Sequence, residues 1–195
     1  MPFDLQVHHR RSIRLKGYDY SQAGAYFVTL VAYQSESLLG NLRDDKVVLS
    51  EMGEIVKAYW LRLPKIFNIQ LDEWVIMPNH LHSIIWILDL GTGKATTQTD
   101  DHKSKSIMAM ASPKQRPIGT KPGSLGAILQ NFKSVTTRKI NQMRDTPGLP
   151  IWQRNYYERI IRDEGEWGRI RLYIQENPAR WIEDMRKGEA SVHCI

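Results

Sequence analysis

Trp74-Val75-Ile76-Met77-Pro78-Asn79-His80-Leu81-His82-Ser83-Ile84-Ile85-Trp86-Ile87 is an apolar run broken by a His-x-His pair. Residues i and i+2 of a strand point to one face, so His80 and His82 project side by side, as two imidazoles gripping one divalent ion would. The run is apolar at successive positions, the pattern of a strand covered on both faces. Pro78-Asn79 is a bend signal, so the histidines begin a strand and residues 69–77 and 81–88 form a tight hairpin. The flanks, Val75-Ile76 and Ile84-Ile85-Trp86-Ile87, are strongly β-prone. Polar side chains at the start of a buried strand are costly unless satisfied, which favours a use for the pair. By itself, a His-x-His pair is a weak metal signal, and structural or surface histidines are the commoner reading.

The chain around this hairpin has 195 residues, enough for one domain with a real core. Its 42% hydrophobic and 25% charged content is that of an ordinary soluble domain. No apolar run reaches a membrane span, and no signal-peptide segment is expected at the start. A single cysteine, Cys194, excludes an internal disulfide and points to a reducing cytoplasm. The net charge of +6 suggests a polyanionic partner. The excess sits in two places. Residues 1–20 hold four Lys/Arg against two Asp/Glu, and residues 121–160 hold seven against two. The first block contains the arm His8-His9-Arg10-Arg11-Ser12-Ile13-Arg14-Leu15-Lys16, either a phosphate-binding segment or a tail. The second interleaves its cations with Phe132, Trp152, Tyr156 and Tyr157, a mixture suited to phosphates and unstacked bases.

Residues 25–33, an aromatic and β-branched run, predict the first strand. Two short segments about Leu38-Leu39-Gly40 and Lys46-Val47-Val48-Leu49 bracket a polar turn and predict a small hairpin. Ser50 caps a helix over 51–63 with Ile55, Val56, Tyr59 and Trp60 at helical spacing, closed by Pro64. Residues 89–122, rich in Gly, Thr, Ser, Lys and Pro, predict a flexible insertion of roughly thirty residues. Ser124 opens a second helix over 125–143, buried through Leu125, Ile128, Leu129, Phe132, Val135 and Ile140. Residues 151–162 predict a turn and a fourth strand. Asp163 caps a last helix that runs to Gln175 or Glu176 and stops at Pro178. Strand, helix, strand, strand, helix, strand is the ferredoxin-like plan, an α+β fold with an antiparallel sheet and two helices on one face. The last helix is an addition to that plan.

That added helix carries Tyr173-Ile174-Gln175-Glu176-Asn177. A spacing of four places Tyr173 and Asn177 on one face, one turn apart. Asn177 before Pro178 also suits an ordinary helix end, and Tyr173 beside Trp167, Ile170 and Ile174 also suits packing.

A His-x-His strand followed by a Tyr-x-x-x-Asn helix resembles the single-tyrosine HUH transposases. More closely, the chain resembles the REP-associated tyrosine transposases. The matching stretches are Arg11-Ser12-Ile13-Arg14-Leu15, Ala25-Tyr26-Phe27-Val28-Thr29, Val75-Ile76-Met77-Pro78-Asn79-His80-Leu81-His82, Phe132-Lys133-Ser134, Trp152-Gln153-Arg154-Asn155-Tyr156-Tyr157 and Tyr173-Ile174-Gln175-Glu176-Asn177-Pro178. The resemblance implies that His80, His82 and the amide oxygen of Asn177 ligate magnesium or manganese, and that Tyr173 is the nucleophile. One departure stands out: the family often shows an acidic residue and then His after the Tyr-Tyr pair, whereas Arg159 follows Glu158 here. The implied reaction is cleavage and rejoining of single-stranded DNA through a 5′-phosphotyrosine, with hairpins of repetitive extragenic palindromes as substrate. Arg10, Arg11, Arg14, Lys133, Arg138 and Arg154 are the candidate DNA-binding residues.

Other readings stay open on the residues alone. Tyr156 or Tyr157, inside the basic block, are rival nucleophiles. A ferredoxin-like sheet also serves as a non-catalytic binder of single-stranded nucleic acid, although the usual aromatic and glycine-rich strand signature is missing. A closed zinc site lacks a fourth ligand. A homodimer is compatible with relatives that share active sites between subunits. The expected location is the cytoplasm, at the nucleoid.

Overall fold

The computed structural model describes residues 15, 17–44, 46–89 and 120–187. The arm with Arg10, Arg11 and Arg14, and residues 90–119 of the expected insertion, lie outside the described residues.

The sheet is built from β1 (Gly24–Val31), β4 (Ile69–Ile76), β5 (His80–Ile87) and β6 (Tyr157–Ile161). A separate hairpin, β2 (Gly40–Arg43) with β3 (Lys46–Leu49), follows β1. The helices are α1 (Glu51–Trp60), α2 (Leu125–Arg144) and α3 (Glu164–Lys187). The sheet order is β4-β5-β1-β6, and every neighbouring pair is antiparallel. This is the ferredoxin-like arrangement, with a two-residue Pro78-Asn79 connection in which the Met77 amide donates to the His80 carbonyl at 2.8 Å. Among the described residues no helix is long and apolar enough to cross a membrane.

Alternation along the strands sorts the core into two layers. Tyr26, Val28 and Leu30 of β1 and Leu81, Ile85 and Ile87 of β5 pack with Val56 and Trp60 of α1 and Ile128, Leu129 and Phe132 of α2. Trp60 and Phe132 meet edge to face at 4.8 Å. Ala25, Phe27 and Ile84 point the other way, onto Ile170 and Ile174 of α3. The central strands are therefore covered on both sides, which is why β5 is apolar almost throughout.

Local chemistry sets the helix starts. Ser50 accepts from the Gly53 amide, Ser124 from the Ala127 amide at 3.3 Å, and Asp163 from the Glu166 amide at 2.7 Å. At Gly53, α1 runs so close to the 38–39 segment that an added Cβ would stand 2.0 Å from the Leu39 carbonyl oxygen.

Three boundaries depart from the sequence expectation. The helix α1 ends at Trp60, and residues 63–65 form a separate 3-10 turn that contains Pro64. The fourth strand is split: Trp152 bridges Ala32, residues 154–156 leave the ladder, and β6 begins at Tyr157 opposite Thr29. The carbonyls of Gln153 and Arg154 accept from the Lys133 amine of α2, which holds this bulge away from the sheet. Most consequential, α3 does not stop at Pro178 but continues through it to Lys187. Proline removes one ladder bond from the helix. The turns beyond it bury Trp181 against the sheet, and that burial offsets the lost bond.

Candidate functional site

On the α3 face of the sheet, one cross-strand row reads Val75, His82, Thr29, Tyr157. His80 stands one pleat further along β5, opposite Val31. The two imidazole centroids are 4.5 Å apart, side by side as the strand periodicity requires. Both rings are almost fully buried, and each is held at Nδ1 by a neighbouring polar side chain. For His80 the partner is the Asn79 Oδ1 at 2.6 Å, and for His82 the Thr29 Oγ1 at 2.8 Å. On its other side His82 Nε2 lies 3.3 Å from the Tyr173 hydroxyl. A neutral imidazole has one N–H, so His82 donates one of these two bonds and accepts the other. Burial, and then the neighbouring His80, push the His82 ring well below its ordinary value of 6.5, so it is neutral at pH 7.

Tyr173 reaches the sheet because α3 presents Ile170, Ile174, Asn177 and Trp181 inward at helical spacing. Its ring packs on His82 at 5.2 Å and edge-on to Phe27 at 6.1 Å. Trp181 tilts against His80 at 5.5 Å. The Arg180 guanidinium lies over the Tyr173 ring, 5.9 Å from its centroid, and pairs with Glu176 at 2.6 Å. His80, Tyr173, Asn177, Arg180, Trp181, Glu183 and Asp184 line one cavity of about 280 Å³. His82 sits beneath it, behind the tyrosine. Three of the four residues singled out for metal binding and nucleophilic attack thus share one wall, and the fourth touches Tyr173.

The helix is pinned in register by Asp72, at a bulge where β4 slips against β5 between Leu71 and Trp74. One Asp72 oxygen accepts from the indoles of Trp86 and Trp167, and the other pairs with Arg171 at 3.3 Å. Glu73 accepts from Gln175 at 2.8 Å and lies 3.6 Å from Arg171.

The rival tyrosines lie elsewhere. Tyr156 packs on the α1/α2 side of the sheet. Tyr157 shares the α3 face, 6.0 Å from Phe27, but lines a second cavity of about 280 Å³ with Leu15, Tyr20, Arg159, Arg162 and Glu166. Its backbone is two strands from His82, roughly 10 Å at ordinary strand spacing. Arg159, where the resemblance departs, forms an ion pair with Glu166 at 2.6 Å. Burial pushes the Glu166 carboxyl up, but bonds from the Arg162 amide and the Arg159 guanidinium outweigh it and hold the group below its usual range.

Lys133 and Arg154 are brought together at the bulge, where the lysine amine serves the loop's carbonyls. Burial lowers that amine to about 8, which leaves it charged at neutral pH. Arg138 and Arg154 are exposed. Among the described residues, no three His, Cys, Asp or Glu side chains gather as a metal-binding group. His80 and Asn177 line the cavity, and the His82 imidazole lies behind Tyr173.

The sequence reading missed four residues of this site. Thr29 is the one small polar side chain in an otherwise apolar and aromatic β1. Asn79 was visible only as a bend residue. Arg180 and Trp181 lie seven and eight positions after Tyr173, on the same helical face, and were hidden by ending the helix at Pro178.

No family model matches the chain. A protein of Haemophilus influenzae described as uncharacterized is 39% identical over 186 residues, covering 93% of this chain and 95% of its own. The structure of a REP-associated tyrosine transposase bound to a REP hairpin superposes with a TM-score of 0.54 at 15% identity, over 93% of this chain and 92% of that one. At that identity the likeness shows a shared fold.

Proposed function

The chain belongs to one family with the Haemophilus influenzae protein, and on that premise we propose that it is a metal-dependent tyrosine transposase of the HUH type, which cuts and rejoins single-stranded DNA. The observation that carries the reading is the Tyr173 hydroxyl, 3.3 Å from His82 Nε2, in a cavity wall shared with His80 and Asn177. The shared fold with a hairpin-bound REP-associated transposase supports single-stranded hairpins as substrate.

The donor chemistry fits a divalent ion. Each histidine has Nδ1 engaged by a side-chain oxygen, the arrangement by which outer partners orient metal-ligating imidazoles. His82 is neutral, as a ligand must be. His80 and His82, through Nε2, and Asn177, through its amide oxygen, would hold magnesium or manganese. Such an ion neutralises the charge of a phosphodiester and orients it for in-line attack. Two imidazoles and an amide do not by themselves select the metal.

The chain's own groups account for the rest. Tyr173 sits on a rigid helix pinned by Asp72, so its hydroxyl is positioned before substrate arrives. As the phenolic oxygen bonds to phosphorus it loses its proton, and the P–O3′ bond breaks with a proton returning to the 3′-oxygen. The phosphotyrosine preserves the ester bond, so a 3′-hydroxyl reverses the step without ATP. Arg180 adds a cation at the cavity for the anionic substrate. Exposed Arg138 and Arg154, with the arm residues Arg10, Arg11 and Arg14, would follow the strand's phosphates, while Lys133 holds the loop that carries Arg154.

The test is a cleavage assay on labelled single-stranded hairpins with manganese or magnesium, scored for protein–DNA adducts that survive denaturation. Adducts in the wild type, lost in both Tyr173→Phe and His80→Ala, are the expected result. An adduct that persists in Tyr173→Phe and vanishes in Tyr157→Phe would move the nucleophile to the second cavity. Tight hairpin binding without any adduct would leave a non-catalytic binding module.

A further inference from the structure

Asn79 sits between His80 and a backbone turn that few sequences adopt. Its Nδ2 donates to the Ser35 carbonyl at 3.2 Å, and its Oδ1 lies 2.6 Å from His80 Nδ1. A side-chain amide has one donating end and one accepting end. The Ser35 carbonyl can only accept, so the amide must turn its NH₂ there and its oxygen toward the imidazole. That oxygen can only accept. His80 Nδ1 therefore carries the proton, and in the neutral ring Nε2 carries the lone pair.

The Ser35 carbonyl reaches Asn79 only because Gln34 (φ 53°) and Ser35 (φ 59°) are both left-handed, two successive non-glycine residues in a region that side chains disfavour. Such backbone persists where the surroundings over-determine it. Here the Ser35 amide donates to the Ala32 carbonyl at 3.0 Å and the Tyr33 amide to the Ile151 carbonyl at 2.8 Å. Gln153 Nε2 donates to Ser35 Oγ at 3.3 Å. The Ala32 amide donates to the Asn79 carbonyl at 2.8 Å. Asn79 is thus tied to this turn by backbone and side chain together, and is itself buried.

We propose that Asn79 is a positioning residue that locks His80 in the Nδ1–H form, with the lone pair on Nε2, and that the strained turn at Gln34–Ser35 holds Asn79 in that task. The consequence for metal binding rests on the proposed function. The tautomer assignment does not.

The test uses the whole protein labelled with ¹⁵N-histidine, with His80 assigned by His80→Gln and its tautomer read from long-range ¹H–¹⁵N spectra. Wild type should show His80 as Nδ1–H. Asn79→Asp keeps the acceptor but gives the Ser35 carbonyl no donor and sets a carboxylate beside the ring, so it should protonate His80 at both nitrogens. Ser35→Gly tolerates the left-handed backbone and keeps the carbonyl, so it should keep the wild-type tautomer. Asn79→Ala should lose the single tautomer, and so should Ser35→Pro, whose ring cannot adopt a positive φ. Mn²⁺ affinity should fall by about 10–100-fold in Asn79→Ala. An Nε2–H His80 in the wild type, or an unchanged Nδ1–H in Asn79→Ala, would overturn the assignment. An unchanged tautomer in Ser35→Pro would overturn the role of the turn. If Asn79→Ala does not fold, the wild-type and Ser35→Pro spectra still decide. A wild type with Nδ1–H His80 that binds no Mn²⁺ upholds the role of Asn79 and removes the metal reading of the cavity.

Discussion

Replacing Thr29 by valine changes shape little and removes one oxygen. That oxygen is fully buried and lies 2.8 Å from His82 Nδ1, in the middle of the site. With a methyl in its place the imidazole has two options. With its proton on Nδ1 it buries an N–H without an acceptor, at a cost of about 1–3 kcal/mol. Or it carries the proton on Nε2, where it faces the Tyr173 oxygen and blocks a ligand. For a chain of this size each kcal/mol moves Tm by about 2–4 °C, so the first option lowers Tm by roughly 2–12 °C. Either option should weaken Mn²⁺ binding by about 10–100-fold, the usual effect of removing a partner that orients a ligand. Thermal unfolding followed by circular dichroism gives the first number, and Mn²⁺ titration followed by electron paramagnetic resonance gives the second. Thr29→Ser, which keeps the hydroxyl, should hold its Mn²⁺ affinity and lose only the methyl packing. A Thr29→Val protein with wild-type Tm and wild-type Mn²⁺ affinity would refute the claim that this contact sets up His82.

Three further outcomes follow from the same structure. His82 is neutral when folded and titrates at an ordinary 6.5 when unfolded, so the unfolded chain binds the extra proton as pH falls. Stability should therefore drop below pH 6.5 by about 1.4 kcal/mol per pH unit until the folded ring itself protonates, a slope that urea titrations should find missing in His82→Gln. Gly53→Ala should destabilise the protein severely, by about 2 kcal/mol or more, because the Leu39 carbonyl that the new Cβ meets is backbone already bonded to the Ser50 amide. Denaturant midpoints with an unchanged m-value would check it. Asp72→Ala strips the acceptor from Trp86 and Trp167 and the ion-pair partner from Arg171, so α3 should loosen from the sheet. Amide exchange over residues 164–187 should rise while the α1/α2 layer keeps its protection, and uniform protection would count against the pin.

The local pattern of this chain carried most of the fold. An aromatic and β-branched run in β1 and a β5 that is apolar at most positions marked strands covered on both sides, and serine caps marked the starts of α1 and α2. The two-residue Pro78-Asn79 link marked the hairpin on which the histidines sit. These are short-range signals, because propensity, capping and turn chemistry are decided within a few residues. Pro178 shows where such signals fail. Its missing N–H is a local fact that argues for a helix end. The burial of Trp181 against His80, which carries the helix onward, is a contact across about a hundred residues and has no local trace.

The site divides along the same line. By itself the sequence determined that His80 and His82 share a strand face and that Tyr173 and Asn177 share a helix face, since both follow from backbone periodicity. Only the tertiary structure decided that these two faces meet, because that depends on register: on Thr29 standing opposite His82, and on Asp72 at a β4 bulge catching two indoles and an arginine. Only it separated Tyr173 from Tyr157, which line different cavities. It also brought Asn79 to a left-handed turn more than forty residues away. Periodicity assigns a side chain its direction, and packing alone assigns it a neighbour.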